Sequence, residues 1–202
     1  MLFAAAAAFG LTAHAAAAAG DGPSGKLRGF VMSPAPEVGS FSLPDATQGG
    51  APLALTAAPG GLMLVYFGYT ACPDICPTTL SDLGVALRRL GKPAERVEVA
   101  MVTVDPERDT ADVLDGYVGH FITRGHHALR TDDPSELARV ANAFGARYEV
   151  RKEPDGTVEV GHSALVYAVD DRGIVQVAWP FGMSSRAVTK DLRVLLRDQN
   201  AP

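Results

Sequence analysis

Leu62 to Phe67 is an unbroken apolar run, the pattern of a strand buried on both faces. The period then changes. Leu80, Leu83, Leu87 and Leu90 recur at helical spacing and stop at Gly91, which predicts a helix with Pro77 at its first position and Cys76 as its cap residue. Val97 to Val104 reads as a second buried strand, followed by a helix near 110–122 that carries Val113, Leu114, Tyr117, Val118 and Phe121. Asp133-Pro134-Ser135-Glu136 has the form of a capping box, and Leu137, Val140, Ala141 and Phe144 continue it down one helical face to Gly145. After Tyr148 to Arg151 and a turn at Pro154-Asp155-Gly156, Ala164 to Val169 and Ile174 to Ala178 form two strands joined at Asp170 to Gly173. A last helix runs from about Ser185 to Arg197. Upstream, Phe41, Leu43, Leu53 and Leu55 alternate around Gly49-Gly50, the signature of a hairpin placed before the main fold. Strands alternating with helices, closed by a late hairpin, predict an α/β, thioredoxin-like fold: a central mixed sheet flanked by helices, with an N-terminal hairpin extension.

At 202 residues and 47% hydrophobic, the chain has material for one sizeable core plus tails and needs no disulfide staples. A formal charge of −5 without a Lys/Arg run excludes the basic face of a nucleic-acid binder. Residues 1–20 are apolar and alanine-rich and break into Asp21-Gly22-Pro23, as a secretory signal does. They depart from a good signal in lacking a basic residue before the apolar stretch; as a retained membrane anchor the segment is poor, because alanine is only weakly apolar and His14 interrupts the run. The expected organisation is an export signal or membrane anchor over 1–20, a flexible Gly/Pro/Ser-rich linker over 21–37 and one folded domain over 38–202. That places the domain in the periplasm or on the outer face of the cytoplasmic membrane.

Cys72 and Cys76 are the two cysteines of the chain, and they sit where the first buried strand gives way to a helix. A thiol near a helix N-terminus feels unpaired backbone N–H groups, which favour the thiolate, the form that binds metals and attacks disulfides. A helical offset of four also brings the Cα atoms to roughly 6 Å, within disulfide reach. A bridge there closes too short a loop to stabilise much, at most about 2 kcal/mol, so a purely structural disulfide is a weak reading. The residues leave a soft-metal site, a redox pair, or both.

Tyr66 to Leu80 (YFGYTACPDICPTTL), Asp105 to Thr110 (DPERDT) and Gly161 to Tyr167 (GHSALVY), in that order and spacing, resemble the Sco/SenC family of copper-binding assembly factors. The resemblance covers about residues 38 to 198. It implies a thioredoxin-like domain that binds one copper ion through Cys72, Cys76 and His162. It further implies delivery of copper, or thiol reduction, to the dinuclear centre of the copper-accepting subunit of cytochrome c oxidase. Another periplasmic copper chaperone is an implied second partner. Ala71 and Gly161 depart from the family pattern, in which a larger or polar residue and an aspartate are common.

Two thiolates and an imidazole suit Cu(I) and, with a further oxygen donor, can hold Cu(II), whereas structural zinc wants a fourth protein ligand. No proline occurs from Asp155 through Trp179, so the turn where thioredoxin-type enzymes keep a cis-proline carries His162 instead. Were the chain an oxidoreductase, Cys72 would attack and Cys76 resolve. Asp74, between the thiols, is expected to shape the turn, Asp109 or Thr110 to cap the following helix, and Arg108 to pair with Asp105 or another carboxylate. His126 and His127 are adjacent on an extended segment and point to opposite faces, which makes them a poor chelate. Trp179, Pro180 and Phe181 read as core or edge packing.

Overall fold

The alternation of Leu43, Leu53 and Leu55 places one face of a hairpin toward the core, and two strands form there, β1 (Ser42–Asp45) and β2 (Ala51–Ala54), paired antiparallel. Gly49 and Gly50, both at positive φ, turn the chain between them. The computed structural model describes residues 26–152 and 158–199; the expected export segment over 1–20, the start of the linker and the turn at 154–156 lie outside these residues.

The first apolar run becomes β3 (Leu62–Gly68), buried along its whole length. It is followed by α1 (Ile75–Leu90), β4 (Val97–Thr103), α2 (Ala111–Phe121), β5 (His126–Leu129) and α3 (Pro134–Phe144). The short strands β6 (Tyr148–Lys152) and β7 (Val158–His162) come next, then β8 (Leu165–Val169), β9 (Val175–Pro180) and α4 (Ser185–Asp198). Seven strands make one mixed sheet in the order β2-β1-β5-β4-β3-β8-β9; β3, β4 and β5 are parallel, β8 runs antiparallel to β3, and β9 runs antiparallel to β8. No helix among the described residues is long and apolar enough to cross a membrane.

The two-residue period of β3 divides the core. Leu62, Leu64 and Tyr66 face one side, packed with Leu80 and Leu83 of α1, Leu114 and Val118 of α2 and Leu192 of α4. Met63, Val65 and Phe67 face the other, against Leu137, Val140 and Phe144 of α3. A parallel strand covered on both faces must be apolar throughout, which is why the run in the sequence has no polar interruption. The site therefore rests at the end of a central strand paired along both edges, with β4 and β8.

Three local expectations are corrected. The linker expected over 21–37 is bound to the domain from Arg28 onward. Phe30 pairs with Ala178 and Glu37 with Ile174, so this stretch covers the outer edge of β9, which would otherwise leave its backbone groups unpaired. The buried Asp191 carboxylate takes the N–H groups of Arg28 (2.9 Å) and Gly29 (3.0 Å) and the indole N–H of Trp179 (2.9 Å). Gly29 is needed there, because a Cβ would lie 2.5 Å from the Trp179 ring. The capping box at Asp133 is half formed: Asp133 accepts from the Ser135 N–H, but Glu136 takes the Thr131 hydroxyl instead of turning back to the cap. Cys76 is not a cap residue either, since α1 begins earlier, at Ile75, for a reason that lies in the site.

Candidate metal centre

α1 starts on Asp74, whose side chain makes no cap hydrogen bond to the first turn. The orphan N–H groups of that turn are met in other ways. Cys76 N–H donates to the sulfur of Cys72 at 3.3 Å, Pro77 at the third position has no N–H, and Thr78 N–H makes the first helical bond to the Asp74 carbonyl at 3.1 Å. The first thiol thus does the work usually given to a serine or aspartate. The Asp74 carboxylate meets the Thr78 hydroxyl, consistent with a residue that shapes the turn.

His162 arrives from an element that the helical and strand patterns did not separate. β6 and β7 form their own two-stranded sheet in which Tyr148 pairs with His162, and Ser163 N–H closes it on the Arg147 carbonyl. The alternating Tyr148-Glu149-Val150 and Val158-Glu159-Val160 about Asp155-Gly156 are a hairpin signal that could have revealed it. This hairpin holds the imidazole over the cysteine corner. Nε2 of His162 is 3.5 Å from Sγ of Cys76, and the ligand atoms of Cys72, Cys76 and His162 all lie within 4.8 Å of one another. Both thiols are free. The three residues singled out in the sequence are brought together, and their spacing leaves room for one soft cation between two sulfurs and a nitrogen.

The polarity of the hydrogen bonds is set by chemistry. Nδ1 of His162 faces the Ser163 carbonyl at 3.4 Å, which can only accept, so Nδ1 carries the proton and Nε2 presents its lone pair to Cys76. Burial lowers the pKa of His162 from its ordinary value against the opposing pull of that carbonyl, which keeps the ring neutral and fit to ligate. Burial pushes the Cys76 thiol up to about 12, with the Tyr66 and Tyr69 contacts opposing it. Burial also acts to raise Cys72, but the N–H groups of Cys76 and Asp74 and the Tyr69 hydroxyl outweigh it, and its pKa is lowered. One thiol is therefore poised to ionise and the other held protonated until a cation replaces the proton.

Two tyrosines enclose the centre: Tyr66, which the apolar pattern reads as a plain strand residue, and Tyr69, just past the end of β3. Tyr66, fully buried on β3, donates its hydroxyl to Sγ of Cys76 at 3.3 Å and sets its ring edge against His162, centroids 5.9 Å apart. Tyr69 also meets His162 edge-on at 5.9 Å and reaches Cys72 with its hydroxyl. Outside this pair lies a cleft of about 500 Å³, walled in part by Tyr69, Ala71, Pro73, Arg108, Val160 and Gly161. A Cβ at Gly161 would meet nothing within 4 Å, so the departure from aspartate leaves the cleft wider beside His162.

The DPERDT segment fixes the loop before Cys72. Asp109 is fully buried and accepts from the Thr70 N–H (3.1 Å), the Thr70 hydroxyl (2.6 Å) and the Thr103 hydroxyl (2.6 Å). Of the two expected caps, Thr110 is the one that caps α2, through the Val113 N–H. Arg108 pairs with Asp105 and lies over the Tyr69 ring. Away from the centre, the two neighbouring histidines diverge. His126 meets Asp115 at 2.9 Å, while His127 meets Asp45 at 2.8 Å on the other face. Trp179 is core, whereas Phe181 stays 43% exposed.

A mixed sheet with this order, a Cys-x-x-x-Cys turn at the end of a central strand and a histidine facing it define a thioredoxin-like domain whose redox corner has been extended into a three-ligand site. The chain belongs to the SCO1/SenC family, whose profile matches residues 32–197. It is 32% identical over 127 residues to a putative copper-binding protein of Stutzerimonas stutzeri, covering 62% of this chain and 61% of that one. The chain spans little more than half the length of several curated relatives it matches. Among solved structures it resembles ScoI of Bradyrhizobium japonicum with copper bound, at TM-score 0.65 and 31% identity, covering 76% of this chain and 95% of that one. It also resembles apo Sco1 of Thermus thermophilus, at TM-score 0.72 and 31% identity, covering 86% and 99%.

Proposed function

We propose that this protein is a copper metallochaperone that binds one copper ion through Cys72, Cys76 and His162 and delivers it to the dinuclear copper centre of cytochrome c oxidase. The convergence of two sulfurs and a neutral imidazole nitrogen within 4.8 Å carries this reading. Soft thiolates with one imidazole favour Cu(I), and a fourth ligand from solvent or the adjoining cleft allows Cu(II). Copper is cargo here. Cys72, 9% exposed against 0% for Cys76, is the sulfur that an incoming acceptor thiol replaces first, while Cys76 and His162 hold until the exchange is complete. Export of the chain to the periplasm or the outer membrane face would put the domain beside the acceptor subunit, and another periplasmic copper chaperone would supply the ion.

The test is stoichiometric copper binding by reduced protein. Cys72→Ser and Cys76→Ser should each abolish retention of one tightly held ion through gel filtration. Wild-type retention in both would end the reading.

The opposed pKa shifts of the two thiols favour a second reading, a thiol:disulfide oxidoreductase with Cys72 attacking and Cys76 resolving. It predicts reduction of a protein disulfide without copper, unaffected by His162→Ala.

A further inference from the structure

The hydrogen-bond chain at the centre runs in one direction. The Tyr66 hydroxyl donates to Sγ of Cys76, and the Cys76 S–H points to Nε2 of His162. A copper ion takes the place of the S–H proton, because metal ligation requires the thiolate. The phenol proton has no reason to leave: Tyr66 is 0% exposed and its ring is fixed on β3 between α1 and the His162 ring. Its hydroxyl then donates to a thiolate rather than to a thiol, and such charge-assisted bonds are the stronger kind.

We propose that Tyr66 is a positioning residue of the metal centre, whose phenolic proton on Cys76 Sγ biases the site toward Cu(I) and the sulfur pair toward the reduced dithiol. The inference rests on the copper reading for its first half and is independent of it for its second. A hydrogen bond into the sulfur lone pair withdraws charge from the ligand, which weakens donation to Cu(II) more than to Cu(I), and hydrogen bonding at a cysteine ligand is a known lever on copper potential. In the copper-free protein the same bond stabilises a thiol or thiolate more than a disulfide sulfur, which is a poorer acceptor. Tyr69 is placed to act in parallel on Cys72, but it lines the cleft and is only partly buried, so Tyr66, 0% exposed, is the partner that water cannot replace.

The variant is Tyr66→Phe, which keeps the ring against His162 and deletes the donor alone. In the copper-loaded full chain, the Cu(II)/Cu(I) affinity ratio should rise about tenfold, lowering the one-electron potential by about 59 mV. In the copper-free chain equilibrated with glutathione and its disulfide, formation of the Cys72–Cys76 disulfide reduces one oxidised glutathione to two thiols. That equilibrium should shift about threefold to tenfold toward the protein disulfide in the variant. A merely structural role would lower the melting temperature and leave both potentials unchanged, and that outcome overturns the proposal. Failure of the wild type to hold copper at all would instead remove the copper reading, while the glutathione equilibrium would still test Tyr66.

Discussion

The backbone N–H of Cys76 points at the sulfur of Cys72, 3.3 Å away. This one contact joins the start of a helix to the chemistry of the site. The sulfur completes the first turn of α1, and the turn in return stabilises negative charge on that sulfur. Cys76, in that first turn and fully buried, receives no helix N–H on its own sulfur; the Tyr66 hydroxyl and the Tyr69 backbone meet it instead.

Copper loading should therefore release protons. With the Cys76 thiol pushed up to about 12, the group is protonated across the neutral range in the empty site and must lose its proton on binding. Apparent Cu(I) affinity should fall by at least about tenfold for each pH unit below neutrality. Calorimetric titration in buffers of different ionisation enthalpy measures the protons released; a value of zero would contradict the thiolate site.

Asp109 holds the loop that ends in Cys72, and Asp109→Ala leaves three donors without an acceptor in a buried place. A loss of about 2–4 kcal/mol in urea unfolding is expected, with weaker copper binding as the loop loosens. Unchanged stability would show that the loop is held by other contacts.

The strap over β9 depends on Asp191. Asp191→Ala should cost about 2–3 kcal/mol, because the Trp179 indole and the N–H groups of Arg28 and Gly29 lose their shared acceptor. Hydrogen exchange of Phe30 should quicken in the variant while that of β3 keeps pace with global stability.

Buried His127 and Asp45, with the half-exposed Glu98, tie the N-terminal hairpin to β5 and give the fold its own pH dependence. Burial opposes the charge on His127, but Glu98 and Asp45 outweigh it and raise its pKa above 6.5. Asp45 is lowered from 3.8 despite burial, through His127, Thr47 and Ala128, and Glu98 is lowered from 4.5 by His127. A raised histidine contributes stability below its unfolded pKa that is lost as pH rises through the folded value; lowered carboxylates contribute above their unfolded values and lose it as pH falls through the folded ones. The trio should stabilise most between about pH 4.5 and 6.5. The stability difference between wild type and His127→Gln should shrink as pH rises past neutrality; a difference constant from pH 5 to 9 would contradict the assignment.

The strands β3 and β4, the four helices and the hairpin before them were legible because burial on both faces and amphipathic stripes leave period in the sequence. Cys72 and Cys76 were legible from spacing alone. His162 was singled out by the family resemblance and supported by its position before β8, though its seat on the β6–β7 hairpin was not seen. What escaped were interactions without period. The strap from Arg28 to Glu37 looks like a linker because its fixing partner, Asp191, is more than 150 residues away in the chain. Tyr66 looks like core because only the fold turns its hydroxyl toward Cys76.

The central claim, a three-ligand copper site, is tested most directly by titrating Cu(I) into the reduced protein against a competing chelator, wild type beside His162→Ala. The account predicts one tightly held ion in the wild type and an affinity weakened at least about tenfold when the imidazole is removed. Equal, weak binding by both proteins would contradict it and leave the cysteine pair as redox chemistry alone.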